Sequence, residues 1–117
     1  MRSRQLLLAV IVMLIAIFTT GILAAQAQDE LTVGFAQTGS ESGWRTAFTE
    51  AMMAEAEEQN INLIFSDGQQ KQENQIAALR SFIAQGVDAI ILAPLVETGW
   101  DEVLTEAQDA EIPVFII

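Results

Sequence analysis

The sequence of 117 residues contains no cysteine and no histidine. Without cysteine, no disulfide can form and no thiol can carry a lipid anchor, so an exported chain of this composition depends on packing for its stability. Zinc and most other transition metals bind through thiolate and imidazole ligands. The lack of both residue types therefore excludes such metal sites.

Basic residues are scarce, with five Lys and Arg against sixteen Asp and Glu. Two of the five, Arg2 and Arg4, stand at the N-terminus, and the chain after residue 27 carries a net charge of −13 from three basic and sixteen acidic residues. Phosphate backbones and anionic lipids would repel such a chain, so we expect no nucleic-acid and no membrane-surface partner. Solubility alone accounts for the acidity.

The N-terminus has the pattern of a cleavable signal peptide. A short basic segment precedes an unbroken apolar run over residues 6–18, and Ala25 and Ala27 provide the small residues of a cleavage site before Gln28. The alternative is a permanent membrane anchor, because residues 6–23 are nearly long enough to span a bilayer. We expect cleavage of residues 1–27 and secretion into the periplasm.

After this segment, short apolar runs rich in β-formers alternate with segments of helical period. Such runs are typical of strands in a sheet that is covered on both faces. The predicted strands are residues 31–36, 61–65, 89–93 and 114–117, and the helical segments are residues 44–55, 76–83 and 100–110. The order β-α-β-α-β-α-β predicts an α/β fold with a doubly wound parallel sheet.

The sequence ends in an apolar strand, residues 114–117, with no helix after it to cover the strand's second face. Such an edge is incomplete and prone to aggregation. We therefore expect residues 28–117 to form a truncated part of a larger α/β domain.

Three polar loops follow the carboxyl ends of the first three strands, where open α/β sheets bind their ligands. They cover residues 37–45, 67–71 and 94–100, and two of them lead to a tryptophan. An indole can stack on the apolar face of a sugar ring, while carboxylate, amide and guanidinium groups bond its hydroxyls. The predicted ligand-binding residues are Gln37, Glu41, Trp44, Arg45, Asp67 and Trp100.

Most of these residues also have an ordinary structural interpretation. Trp44 begins the apolar stripe of the first helix and is equally consistent with a core position. Arg45 is consistent with a surface pair with Glu41, and Asp67 before a glycine is typical of a turn. Trp100 is consistent with a hydrophobic staple for the third helix.

Rival functions fail on specific grounds. Residues 39–43 match neither the dinucleotide-binding nor the phosphate-binding glycine motif. A glycosidase needs two carboxylates at a defined separation, and nothing in the sequence fixes the separation of Glu41, Asp67 and Glu97. We expect no enzymatic activity and no cofactor.

The same segments resemble a known family. Residues 39–45 (GSESGWR), 67–75 (DGQQKQENQ) and 85–90 (QGVDAI) are similar to the periplasmic sugar-binding proteins of ABC importers. The resemblance is to the ribose- and galactose-type receptors, and most specifically to the galactofuranose-binding branch.

The resemblance implies two α/β lobes that close on one monosaccharide. Trp44 would stack on the sugar, Glu41, Arg45 and Asp67 would bond its hydroxyls, and residues 94–100 would form part of the cleft rim. Residues 28–117 would form the first part of the N-terminal lobe. The family usually has an Asp-Arg pair after the fourth strand, which this sequence does not reach, so we expect the 117-residue chain to bind sugar weakly or not at all.

The resemblance further implies a monomeric binding component that delivers a monosaccharide to an ABC permease in the inner membrane. An alternative is a sugar-sensing periplasmic domain that feeds a membrane signalling receptor. Sugar-responsive repressors share the fold, but they need an N-terminal helix-turn-helix where this sequence has a predicted signal peptide.

Overall fold

The computed structural model describes residues 29–117. The predicted signal peptide lies outside the described residues. Strands and helices alternate in the order predicted: β1 (Thr32–Gln37), α1 (Gly43–Glu58), β2 (Asn62–Asp67), α2 (Gln72–Gln85), β3 (Ala89–Leu92), α3 (Asp101–Asp109) and β4 (Val114–Ile116). In this part of the chain, no helix has the length and apolar character needed to cross a bilayer.

The four strands form one parallel sheet in the order β2-β1-β3-β4. The chain moves outward from β1 to β2 and then crosses back to place β3 on the other side of β1. The strand order therefore reverses between β1 and β3, and a crevice opens at such a point beyond the carboxyl ends of the strands. Gln37 and Asp67, which end β1 and β2, pair in register at this edge.

The main core lies between the sheet and the two helices α2 and α3. Phe82 of α2 packs directly over Gly34 of β1, where any Cβ would collide with the phenyl ring. This close approach requires glycine in the middle of the strand. The buried cluster contains Ala36, Ala78, Leu79, Phe82, Val87, Ile90, Leu92, Trp100, Val103 and Ile112.

Helix α1 covers the opposite face of the sheet. Phe35 is fully buried there, with its ring centroid 6.1 Å from that of Phe48 in α1 and 5.8 Å from that of Phe65 in β2. Because neighbouring strand residues point to opposite faces, Gly34 and Phe35 contact helices on different sides of the sheet. The predicted doubly wound arrangement is thereby confirmed.

Two helix ends show the expected capping chemistry. Ser42 precedes α1, and its hydroxyl accepts a hydrogen bond from the backbone N–H of Arg45 (3.3 Å). Gly86 ends α2 in the left-handed conformation with φ of 67°, which is typical of a glycine C-cap. The first cap fixes where the loop before α1 ends, and the second fixes where the loop after α2 begins.

Candidate functional site

The three polar loops predicted to bind ligand meet at one edge of the sheet. The Ser40 hydroxyl donates to Asp67 Oδ2 (2.8 Å), which ties the loop after β1 to the end of β2. The Thr38 hydroxyl donates to the carbonyl oxygen of Ala93 (3.1 Å), which ties the same loop to the end of β3. The loops therefore form a single polar surface around the point where the strand order reverses.

Trp44 lies on this surface in the first turn of α1, and 70% of the residue is exposed. Its ring stacks nearly parallel on Phe48, with centroids 5.6 Å apart and planes inclined by 14°. The sequence left open whether Trp44 belongs to the core, and the structure places it outside. The Phe48 ring packs on one face of the indole, and most of the Trp44 residue remains exposed.

Arg45 lies beside Trp44 and is held by three side chains. Its Nε donates to Glu41, while its Nη1 donates to Gln37 Oε1 (3.2 Å) and Thr38 Oγ1 (3.1 Å). Its Cζ is 5.9 Å from the Trp44 ring centroid. Nη2 has no hydrogen-bond partner within residues 29–117, and 28% of the side chain is exposed. The surface pair with Glu41 therefore exists, and it leaves one guanidinium nitrogen free to donate.

Gln37 lies beneath Arg45 rather than beside it at the surface. Only 1% of Gln37 is exposed. Its Oε1 accepts from the backbone N–H of Thr38 (3.0 Å) as well as from Arg45, and its Nε2 donates to Thr49 Oγ1 (3.4 Å). Both ends of the amide are thus occupied by protein, and the structure gives Gln37 a supporting position at the site.

Asp67 ends β2 in a local turn that opens the second loop. Besides accepting from Ser40, the carboxylate accepts from the backbone N–H of Gln69 through Oδ1 (2.8 Å). Gln69 and Gln70 follow with positive φ of 51° and 57°. The turn predicted for Asp67 is present, and it brings the carboxylate into the polar surface with Ser40.

Trp100 is in a different environment from Trp44. It is 7% exposed and belongs to the buried cluster between the sheet and helices α2 and α3. Its Nε1 donates to the carbonyl oxygen of Val96 (2.7 Å), which closes the third loop on itself. The indole of Trp100 therefore packs in the core, as its structural interpretation requires, and its predicted role in ligand binding stays a prediction.

Gln75 contributes to the site and was missed as a site residue from the sequence. It is fully buried in α2, where its Nε2 donates to Ala93 O (2.6 Å) and its Oε1 accepts from Leu95 N (3.0 Å). It therefore fixes the chain where β3 runs into the third loop. Its spacing to Leu79 and Phe82 is i, i+4, i+7, so a polar residue in the buried stripe was the available signal.

A small concavity of about 180 Å³ opens at this edge. Typical ligand pockets are larger, about 300–1,000 Å³. A depression of about 430 Å³ lies at the opposite end of the strands, beside Asn60, but neither an aromatic nor a basic side chain among residues 29–117 lines it. The smaller concavity is therefore the candidate site because of the residues that line it and not because of its volume. Its lining residues are Gln37, Trp44, Arg45, Phe48, Ala93 and Ile117.

The edge combines the groups that a polyhydroxylated ring needs. Trp44 provides a flat apolar face and Arg45 a planar donor. Glu41 and Asp67 both already accept hydrogen bonds from protein groups, and carboxylate oxygens have further lone pairs for hydroxyl donors. This set suits reversible binding of a neutral polar molecule.

Comparison with known proteins identifies a matching family and similar relatives. Residues 33–117 match the family model described as a periplasmic binding protein domain. The galactofuranose-binding protein YtfQ of Escherichia coli K12 is 67% identical over 87 residues, which cover 74% of this chain and 27% of that protein. This chain therefore spans about a quarter of the length of that relative.

Two solved structures show the same fold with furanose sugars bound. The periplasmic binding protein component of the arabinose ABC transporter from Shewanella sp. ANA-3, bound to α- and β-L-arabinofuranose, matches with a TM-score of 0.72 and 70% identity over 73% of this chain and 28% of that one. A protein from Mycobacterium smegmatis in complex with β-D-fucofuranose matches with a TM-score of 0.72 and 58% identity over 74% of this chain and 28% of that one.

Proposed function

Because this chain belongs to the periplasmic binding protein domain family, we propose that it is part of the substrate-binding component of an ABC sugar importer. The observation that carries the proposal is the exposed Trp44 ring beside Arg45, whose Nη2 is free within the described residues, at the reversal point of the sheet. A stacking face next to a planar donor matches a sugar ring with its hydroxyls.

The proposed ligand is a monosaccharide in its furanose form. Of the three relatives named above, one is a galactofuranose-binding protein and the other two are bound to arabinofuranose and fucofuranose. In this chain, Trp44 would stack on the ring, Arg45 would donate through Nη2, and Glu41 and Asp67 would accept from ring hydroxyls. Trp100 has no contact role in the proposal, since it lies in the core.

The biological setting follows from the same proposal. The component would work in the periplasm as a monomer, after export directed by residues 1–27, and would deliver its sugar to a permease in the inner membrane. It would bind its ligand without changing it chemically. The sensor alternative has no specific observation in its favour.

Titration calorimetry of the complete gene product tests the ligand class. D-galactose, L-arabinose and D-fucose are the candidate ligands, and D-glucose is the control sugar. We expect binding of at least one candidate, and an Arg45→Met variant should lose at least tenfold in affinity, about 1.4 kcal/mol. Failure of all three candidates to bind would refute a furanose receptor.

The ring form needs a separate measurement, because these sugars interconvert between five- and six-membered rings in solution. NMR of D-galactose labelled with ¹³C at C1 resolves the furanose and pyranose signals. With the complete gene product added in increasing amounts, the free furanose signal should fall first. Loss of the pyranose signals alone would refute the proposed ring form.

A further inference from the structure

Gln37 is held in one orientation by groups whose hydrogen-bonding roles are fixed. The backbone N–H of Thr38 and Nη1 of Arg45 can only donate, so the amide oxygen of Gln37 must face both. The amide nitrogen then points to the hydroxyl of Thr49 in α1. A flipped amide would direct its NH₂ group at two donors, so the network excludes that orientation.

This buried amide determines where the Arg45 guanidinium lies. Glu41 holds Nε, while Gln37 and Thr38 together hold Nη1. The guanidinium is planar, so fixing these two nitrogens also fixes Nη2. Glu41 is itself one-third exposed, whereas Gln37, which ends β1, and Thr38, which follows it, are only 1% and 3% exposed.

We propose that Gln37 is a positioning residue of the sugar site, acting through Arg45 without contacting the sugar. The proposal rests on the proposed function, since it assigns how one residue of that site is prepared for its ligand. Its physical basis is preorganisation, because a donor that is already fixed loses less conformational freedom when the ligand arrives. Thr49 completes the arrangement by accepting from the other end of the amide.

A double-mutant cycle on sugar affinity separates this positioning role from a direct contact with the sugar and from general destabilisation of the fold. Gln37→Met, Arg45→Met and the double variant of the complete gene product are titrated with D-galactose and L-arabinose. If Gln37 acts through Arg45, Gln37→Met should lower sugar affinity about tenfold in the wild-type background and less than twofold in the Arg45→Met background. Equal losses in both backgrounds, from a direct contact or from general destabilisation, would overturn the proposal.

Gln75 provides the matched control. It is also a fully buried glutamine at this edge, but its amide bonds Ala93 and Leu95 rather than Arg45. Gln75→Met should therefore change affinity by the same factor in both Arg45 backgrounds. Gln37→Glu tests rescue, because it keeps an acceptor for Arg45 and should recover most of the affinity lost in Gln37→Met.

A measurement without ligand keeps the inference separate from the proposed function. In ¹⁵N–¹H spectra of the ligand-free complete gene product, the Arg45 Nε–H should give an ordered, slowly exchanging signal. Gln37→Met should lower its order parameter and speed its exchange, while Gln75→Met should not. If no sugar binds, the proposed function fails and this comparison still decides the role of Gln37. An unchanged Arg45 signal in Gln37→Met would overturn it.

Discussion

Trp44 and Trp100 should respond in opposite ways to truncation, although both stand between a polar loop and a helix. Trp44 is 70% exposed and Trp100 is 7% exposed. Trp44→Ala should therefore weaken sugar binding with a small loss of folding stability. Trp100→Ala should cause a large loss of stability, because it removes a core side chain.

The magnitudes follow from the contacts of each ring. Trp44 packs mainly on Phe48, and an aromatic pair of this kind contributes about 0.5–1.5 kcal/mol, so the free energy of unfolding should fall by about 1 kcal/mol. Trp100 lies in the buried cluster, where truncation to alanine costs about 3–5 kcal/mol. Its lost hydrogen bond to Val96 adds about 1 kcal/mol.

Urea unfolding and titration calorimetry of the complete gene product measure the two effects. Trp44→Ala should lose at least tenfold in sugar affinity, about 1.4 kcal/mol, and Trp44→Phe should recover part of it as the matched control that keeps a ring. A Trp44→Ala variant that loses more than about 3 kcal/mol of stability and keeps its affinity would refute the reasoning. That result would mean that Trp44 serves the core.

Three further outcomes follow from the structure. Gly34→Ala should destabilise the fold by about 1–3 kcal/mol in urea unfolding, because the new methyl group collides with Phe82, and an unchanged stability would contradict the close packing. Hydrogen bonding from Arg80 in α2 holds the pKa of Glu106 in α3 below its ordinary value of 4.5. This contact therefore stabilises the fold when the pH is above that ordinary pKa, and its contribution disappears as the pH falls through the lowered pKa. Arg80→Met should therefore destabilise the fold at pH about 7, and its effect should shrink as the pH falls through the lowered pKa of Glu106, whereas a loss of stability that does not change with pH would refute the role of the ion pair. The 117-residue chain alone should bind sugar with a Kd above about 1 mM, since its concavity of about 180 Å³ is smaller than usual ligand pockets, and calorimetry showing micromolar binding would contradict this.

The alternation of strands and helices could be predicted because each element has its own apolar period. Residues 31–36 form a near-continuous apolar run, and the observed β1 covers Thr32–Gln37. Gly86 marked the end of α2 by its conformational freedom. The strand order β2-β1-β3-β4 could not be read in the same way, because it depends on which side of β1 each crossover takes.

The meeting of the polar loops at one edge could be predicted, but the exposure of their residues could not. Loops after parallel strands share one edge, and the hydrogen bonds from Ser40 to Asp67 and from Thr38 to Ala93 join them there. From the sequence, Trp44 and Trp100 were both predicted to bind ligand, and each also had a structural interpretation. The third loop folds back through the bond from Trp100 to the Val96 carbonyl, a contact that no local pattern records.

The burial of polar residues was the hardest feature to predict, and this burial is what lets them orient their neighbours. Gln37 follows Phe35 by two positions, so alternation places it on the sheet face where an apolar residue would be expected. Within residues 29–117, no buried side-chain nitrogen or oxygen lacks a partner, so neither Gln37 nor Gln75 suffers the penalty of an unpaired buried group. A satisfied buried amide has a single orientation and can transmit it to what it bonds. Gln37 thereby orients Arg45, and Gln75 orients the carbonyl of Ala93. The buried glutamines therefore hold the polar groups of this edge in place before any ligand arrives.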